Sequence, residues 1–425
     1  MFDSPSGPPV SVDQALADPS RYRRVLERMQ RDKPRRQLEE PGADGVPLRA
    51  LILDAPRFAR LLAEAVAAGR YAPAPALVRR ARLDKERDLH RFTAADLVVH
   101  AALAELLAEA AEPGLSPCLH SYRAGRSSFA AVRALAAYAR AHRRARPDPR
   151  ARGLHLVHCD VKSYGESIPL GAHSPLWADL AERGAGGPLV AALVRPEVVV
   201  DGVATRLVGL ATGSPIATVV TNLYLAPLDR ALDAVPGAFY ARYGDDLVFA
   251  HPDAAVVDAA EARLEAILAR RGLAVNAAKR RRCYWNGAGR PAAGAPGTTH
   301  VAFLGCRVGF DGTVGLPRAK LRALLADLRA RARRATALAA RDRAAVVCAA
   351  LAQALDPRAP SATSYAPWLR SVVNDRRQLA ELDHELARAV ATALTGRRGP
   401  RAFRHLPPRA LRALGLPSLV AERNR

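Results

Sequence analysis

The sequence predicts an α+β fold, and three observations predict it. The stretch Phe239-Tyr-Ala-Arg-Tyr-Gly-Asp-Asp-Leu-Val-Phe-Ala250 reads as two short strands joined at Gly244-Asp245, a dipeptide suited to a tight hairpin turn. A second strand pattern, Leu154 to Asp160, puts Leu154, Leu156, His158 and Asp160 on one side and Val157, Cys159 and Val161 on the other. Helical spacing surrounds both, over Pro19–Lys33, Asp96–Ala111 and Asp258–Arg271, and nearly all of the chain from Pro317 onwards is helical in pattern.

In chain order, the first helix places Tyr22, Val25, Leu26 and Met29 at core spacing, with arginines on its other faces. Gly42-Ala-Asp-Gly-Val46 is a glycine-punctuated turn. The basic strand-like segment Leu77–Leu83 leads into Asp84–Arg91, where Lys85 and Arg87 suit phosphate binding, one as a point charge and the other as a bidentate fork. Thr93 is positioned to cap an amphipathic helix over Asp96–Ala111. Tyr122, Arg123 and Arg126 lie in a basic loop open to two readings, a nucleic-acid contact or a solvated turn. Pro147–Gly153 reads as a linker. Gly209 and Gly213 permit close backbone approach before a helix starting at Ser214-Pro215 and running to Leu228. A strand over Val301–Val308 and another over Thr313–Leu316 precede the helical C-terminal part.

Charge narrows the function. Lys and Arg number 64 against 41 Asp and Glu, a formal net charge of +23 with a pI near 10.9. That excess is the electrostatic footprint of a polyanion partner, nucleic acid before anionic membrane, because no apolar run reaches spanning length. The N-terminus shows no secretory pattern, and Cys118, Cys159, Cys283, Cys306 and Cys348 form no CxxC pair. A reducing, cytoplasmic setting is expected, with neither a zinc site nor a disulfide framework. Against this basic background, the adjacent Asp245 and Asp246 at a hairpin tip are either a solvated acid turn or a site for a hard cation. An acid closing an apolar strand, Asp160, is costly unless exposed at a rim or bound to something, which makes it a candidate partner for Asp245.

In this order the pieces from Gly42 to Leu316 resemble the prokaryotic reverse transcriptases of the retron and group II intron type. Gly42–Val46 and the stretch from Lys85 to Tyr122-Arg-Ala-Gly-Arg-Ser127 are similar to the fingers motifs. Asp160-Val-Lys-Ser-Tyr164 resembles the first catalytic motif, and Leu210-Ala-Thr-Gly-Ser-Pro215 with Asn222-Leu-Tyr-Leu225 resembles the template-contacting one. Arg242-Tyr-Gly-Asp-Asp246 resembles the double-aspartate motif, Lys279 the palm lysine and Phe303-Leu-Gly305 the primer-grip turn. The resemblance implies a right-hand polymerase: an N-terminal helical extension (1–40), fingers (41–150), a palm of antiparallel sheet flanked by helices (151–316) and a helical thumb with tail (317–425).

It further implies an RNA-directed DNA polymerase using two Mg²⁺ ions, with Mn²⁺ as a substitute. Asp160, Asp245, Asp246 and the carbonyl of Val161 would be the ligands, and Lys279 the proton donor to pyrophosphate. Lys85, Arg87, Tyr164, Gly165 and Gly213 would meet the nucleotide. Arg123, Arg126, Thr212, Ser214, Tyr243, Phe303, Leu304 and Gly305 would meet template and primer. Expected partners are an RNA template, most simply a dedicated non-coding RNA, with DNA product and dNTPs. The compact, unassigned members of this family, several of which act in anti-phage defence, resemble the chain's C-terminal part best.

Two departures matter. Gly165 stands where an aromatic usually blocks the nucleotide 2′ position, so ribonucleotide exclusion is weakened unless Tyr164 takes that role. Ala211-Thr212 replaces a common Pro-Gln, and Ile216-Ala-Thr-Val-Val220 lacks a second Ser-Pro. Template-independent or protein-primed synthesis, and a nucleic-acid-binding scaffold with a vestigial site, are the alternative readings.

Overall fold

Local sequence signals set the first long helix, which follows a short one at Val12–Ala15. Asp18 accepts a hydrogen bond from the Ser20 amide at 2.8 Å, Pro19 occupies the first turn, and Pro19–Asp32 buries Tyr22, Val25, Leu26 and Met29. The structure is a computed structural model that describes residues 11–82, 86–146, 153–292, 294–338, 342–397 and 399–423. Helices and strands are mixed along its length, and they gather into two compact units built from interleaved stretches. The first holds the described residues up to Arg126, Val157–Phe249 and Ala255–Arg281. The second holds Ser127–Leu156, Ala250–Ala254 and the described residues from Arg282 onwards.

In the first unit, β1 (Ala76–Arg82) and β2 (Glu86–Arg91) pair antiparallel, with Leu77 opposite Arg91. The strand-like reading of Leu77–Leu83 agrees with β1, whereas Asp84–Arg91, read only for its basic side chains, supplies the second strand. After β3 (Leu154–Asp160) come β4 (Glu197–Val200) and β5 (Val203–Arg206), an antiparallel pair whose β4 runs parallel to β1. This sheet has the order β2-β1-β4-β5. A second sheet sets β6 (Phe239–Tyr243), β7 (Asp246–His251) and β3 side by side in that order. The expected hairpin is present, turning at Gly244 (φ 64°).

Two helices differ from their sequence readings. Ala94–Ala111, capped by Thr93 as expected, is buried around its circumference rather than amphipathic. Val98, Val99, Leu103, Leu106 and Leu107 are buried in the core, and Ala101, Ala102 and Ala104 are buried with them, small enough for neighbouring helices to approach closely. The apolar run from Pro215 is two helices, Pro215–Tyr224 and Ala226–Asp233. Pro227 lacks an amide hydrogen and its ring clashes with the carbonyl four residues back, so the first helix stops and a second begins. Ala254–Arg270 follows the hairpin and terminates at Gly272 (φ 70°).

The second unit contains β8 (Arg281–Trp285) beside a parallel β9 (Gly297–Thr298), then an antiparallel meander of β10 (His300–Phe303), β11 (Cys306–Gly309) and β12 (Val314–Gly315). The single strand expected over Val301–Val308 is thus a hairpin. Two successive left-handed residues, Leu304 (φ 46°) and Gly305 (φ 75°), reverse the chain. Helices account for most of the rest, chiefly Ser128–Ala145, Arg318–Leu338, Arg343–Leu355 and Arg376–Thr395. Leu324, Leu328, Val347, Leu351, Leu382 and Val390 are among the residues buried there. Of the expected linker Pro147–Gly153, residues 147–152 lie outside the described residues. No helix among the described residues is long and apolar enough to cross a membrane.

Candidate active site

Backbone pairing brings the sequence's acids together in the first unit. Immediately after β3, the Val161 amide donates to the Asp245 carbonyl at 3.0 Å, tying the end of that strand to the β6–β7 turn. On the other side, the Asn276 amide donates to the Asp160 carbonyl at 2.7 Å and the Lys162 amide to the Ala274 carbonyl at 2.9 Å. Asp160 therefore sits between the hairpin tip and the segment that leads to Lys279. Its carboxylate accepts from Lys279 Nζ at 2.8 Å and from Asn276 Nδ2 at 3.2 Å. That contact with Asp160 raises the Lys279 ammonium pKa above its ordinary value.

Asp245 faces Asp160. Burial, and then the charge of Asp160, push its carboxyl up to about 6. Asp246 turns elsewhere: its Oδ1 lies 2.5 Å from His158 Nε2, an imidazole two residues before Asp160 on β3. The first two acids line a cleft of about 820 Å³ together with Tyr122, Lys162, Gly165 and Gly213.

A buried network fixes the tip. Arg242 and Asp229 are fully buried partners, with Nη2 2.6 Å from Oδ2 and Nε 2.7 Å from Oδ1. Arg242 Nη1 also donates to the Gly244 carbonyl at 3.1 Å, and Tyr240 Oη donates to Asp229 at 2.8 Å. Sequence reading saw Arg242 only as part of a motif, and it missed Asp229, Asn276 and His158. The alternation along β3 put His158 on the Asp160 face, which was the available signal for that residue.

The other expected site residues divide. Gly213 (φ 101°) lies where a Cβ would come 3.3 Å from the His90 carbonyl, and the Thr212 carbonyl accepts from the His90 amide at 3.1 Å. Both line the cleft. Ser214 also lines it, yet its hydroxyl caps the Pro215 helix and lies 3.0 Å from His100 Nδ1, a buried structural position. Tyr164 is buried with its hydroxyl donating to the Thr221 carbonyl, whereas a Cβ on Gly165 would meet nothing within 4 Å. Arg123 is taken up internally by Glu112 and the Ser116 and Leu119 carbonyls, while Arg126 is exposed. Tyr243 packs its ring near that of Tyr122. Lys85 and the side chain of Arg87 lie outside the described residues. Phe303, Leu304 and Gly305 belong to the second unit, where Phe303 is buried and Lys320 Nζ donates to the Gly305 carbonyl at 2.9 Å.

Among the described residues, no three His, Cys, Asp or Glu side chains gather into a group that could hold a metal ion. The two facing carboxylates are nevertheless a donor set that fits Mg²⁺, which takes one or two carboxylates and completes its shell with water and substrate phosphates. A cation placed there would relieve the part of the Asp245 pKa rise that comes from the charge of Asp160.

No protein-family model matches the chain, and no curated protein sequence matches it. Solved structures of telomerase are similar to it. That from Candida albicans, in complex with a fragment of telomeric RNA, has a TM-score of 0.47 at 10% identity, covering 81% of this chain and 63% of that one. Apo telomerase from Candida tropicalis gives 0.45 at 9%, covering 83% and 64%, and a form lacking its C-terminal domain gives 0.42 at 10%, covering 57% and 56%. The chain thus spans less than two-thirds of each of these structures. At these values the likeness alone assigns neither fold nor activity.

Two expectations follow from the geometry. Replacing Arg242 with Ala strands a buried carboxylate and should lower stability by about 3–5 kcal/mol in urea denaturation, and the double replacement with Asp229→Ala should cost less than the two single changes together. Asp245 has the opposite sign. Its folded-state pKa lies above the ordinary 3.8, so its contribution is intact below that value and is lost as pH rises through about 6. In chelator at neutral pH, Asp245→Asn should melt above the wild type, and the gap should shrink on acidification. A variant melting below wild type at neutral pH would contradict the repulsion.

Proposed function

We propose that the chain is a template-directed nucleotidyltransferase, an RNA-directed DNA polymerase that extends a primer with dNTPs. The observation that carries the proposal is the convergence of Asp160, at the end of β3, and Asp245, in the β6–β7 turn, into one cleft in a chain of net charge +23. A binding protein gains nothing from two mutually repelling, partly buried carboxylates, whereas a phosphoryl-transfer site needs them to hold cations against substrate phosphates. On this reading fingers, palm and thumb follow the expected boundaries. The resemblance to compact prokaryotic enzymes extends the proposal to a non-coding RNA template and anti-phage defence in the cytoplasm.

When bound, a pair of Mg²⁺ ions would supply activation of the attacking primer oxygen and neutralisation of the leaving pyrophosphate. Asp160 and Asp245 would hold that pair. Asn276 and Lys279 keep the Asp160 carboxylate aimed into the cleft. Lys279 carries a proton at Nζ, 2.8 Å from Asp160, that would pass to pyrophosphate as charge builds there. Gly213 and the open face at Gly165 leave room for a base pair and a sugar to lie against backbone.

A scaffold with a vestigial site draws on one observation, that His158 rather than the other two carboxylates engages Asp246. Primer extension separates the readings. With Mg²⁺, an RNA template, a DNA primer and dNTPs, wild-type protein should give product, and Asp160→Asn or Asp245→Asn should each reduce kcat by roughly 10²–10³-fold. No product on any template would leave the scaffold. The same assay reads the sugar: wild type should accept ribonucleotides appreciably and Gly165→Phe should exclude them, since Tyr164 is held in the core. An equal, strong preference for dNTPs in both would place the discrimination elsewhere.

A further inference from the structure

Tyr122 is a large side chain left 55% exposed in the same cleft as Asp160 and Asp245. Its backbone is left-handed (φ 51°), a conformation that bulky residues rarely adopt and that persists only when surroundings over-determine it. Those surroundings are visible. The preceding Ser121 is buried, its hydroxyl donating to Asn222 Oδ1 at 3.0 Å and its carbonyl accepting from Asn222 Nδ2 at 2.8 Å. The following Arg123 is clamped by its bonds to Glu112 and the Ser116 carbonyl, each at 2.6 Å. The loop is also joined to β6, where the His120 amide donates to the Arg242 carbonyl at 2.9 Å. A turn alone would be served by glycine, as at Gly125 (φ 71°) three residues on. Here an aromatic ring is held in place and left uncovered.

The ring also has a neighbour. Its centroid lies 6.3 Å from that of Tyr243, tilted by 39°, and Tyr243 is the last residue of β6 before the catalytic turn. The Tyr122 ring, with the tilted Tyr243 ring beside it, offers the open cleft a flat, weakly polar face that suits the face of a nucleobase. Every base has such a face, so recognition by stacking is tolerant of sequence. A phosphate is the wrong ligand for this surface, since a neutral phenol offers it no positive charge.

We propose that Tyr122, backed by Tyr243, is a stacking platform for one nucleobase of the strand bound in the cleft. The ligand class rests on the nucleotidyl-transfer reading, and the platform itself rests on the exposure, strain and fixation of Tyr122.

Binding without turnover tests it. In an Asp245→Asn background, the affinity for a single-stranded RNA is measured by fluorescence anisotropy, alongside the same oligonucleotide with an abasic site moved along it. Tyr122→Ala should weaken binding roughly tenfold, Tyr122→Leu should weaken it similarly although it keeps apolar bulk, and Tyr122→Phe should leave it unchanged. One abasic position should weaken binding to the Tyr122 protein by a like factor and have no further effect on Tyr122→Ala. The salt slope should not change, because no phosphate contact is removed. All three variants should melt with the parent, as the side chain lies outside the core. RNA binding that is indifferent to Tyr122→Ala, or that falls equally with Tyr122→Phe, overturns the platform and leaves the nucleotidyl-transfer reading standing. Failure of the parent to bind any RNA overturns both.

Discussion

The buried ion pair between Arg242 and Asp229 is the constraint on which the site depends. Neither side chain is exposed, so both have lost their hydration, and the pair persists because nearly every polar atom is answered. The guanidinium meets both carboxylate oxygens and two carbonyls, those of Gly244 and Asn222, while the carboxylate also accepts from Tyr240. Asn222 in turn grips Ser121. A single buried cation thereby connects the hairpin turn, the helix after the Gly213 loop and the loop bearing Tyr122. An uncharged core could be as stable, but it would not direct three backbone segments to one point.

Against that rigid base the cleft is electrostatically unfavourable. Asp160 and Asp245 face each other with one partly buried, and the ammonium of Lys279 sits on Asp160. Folding energy from elsewhere in the first unit holds charges together that would separate if free, a common relation between stability and activity in functional sites. Arg242 cannot relieve the repulsion, because its own carboxylate partner and the carbonyls saturate it.

How far the sequence revealed this depends on the range of each interaction. The β6–β7 hairpin, the Thr93 cap and the Ser214-Pro215 helix start were legible because turn and cap chemistry lies within a few residues. Asp160 was legible because an acid ending an apolar strand stands out. The partners 13 residues away (Asp229 for Arg242) and 88 residues away (His158 for Asp246) were not, since nothing in local pattern encodes which buried polar groups meet. Alanine hid a second feature. A helix whose far side is Ala reads as half-polar, yet Ala94–Ala111 is enclosed because small side chains let neighbours approach. The Val301–Val308 strand failed for a related reason, as a left-handed Leu304 is not announced by leucine itself.

The three aspartates end in three environments, and the difference bears on what each can do. Asp160 carries an ammonium and an amide, Asp245 faces a like charge, and Asp246 holds an imidazole. Identical groups set in unlike surroundings take unlike roles. Asp245 is the acid whose charge is least accommodated by the protein, so on the proposed function it would gain most from a cation. Asp246 is already satisfied, and for it to join the other two, His158 would have to release it. The imidazole two residues before Asp160 thus links the third carboxylate to the strand that presents the first. On the nucleotidyl-transfer reading, a cleft with two facing acids and a third tethered nearby would take up an ion together with substrate phosphates, because protein oxygens alone do not complete the shell.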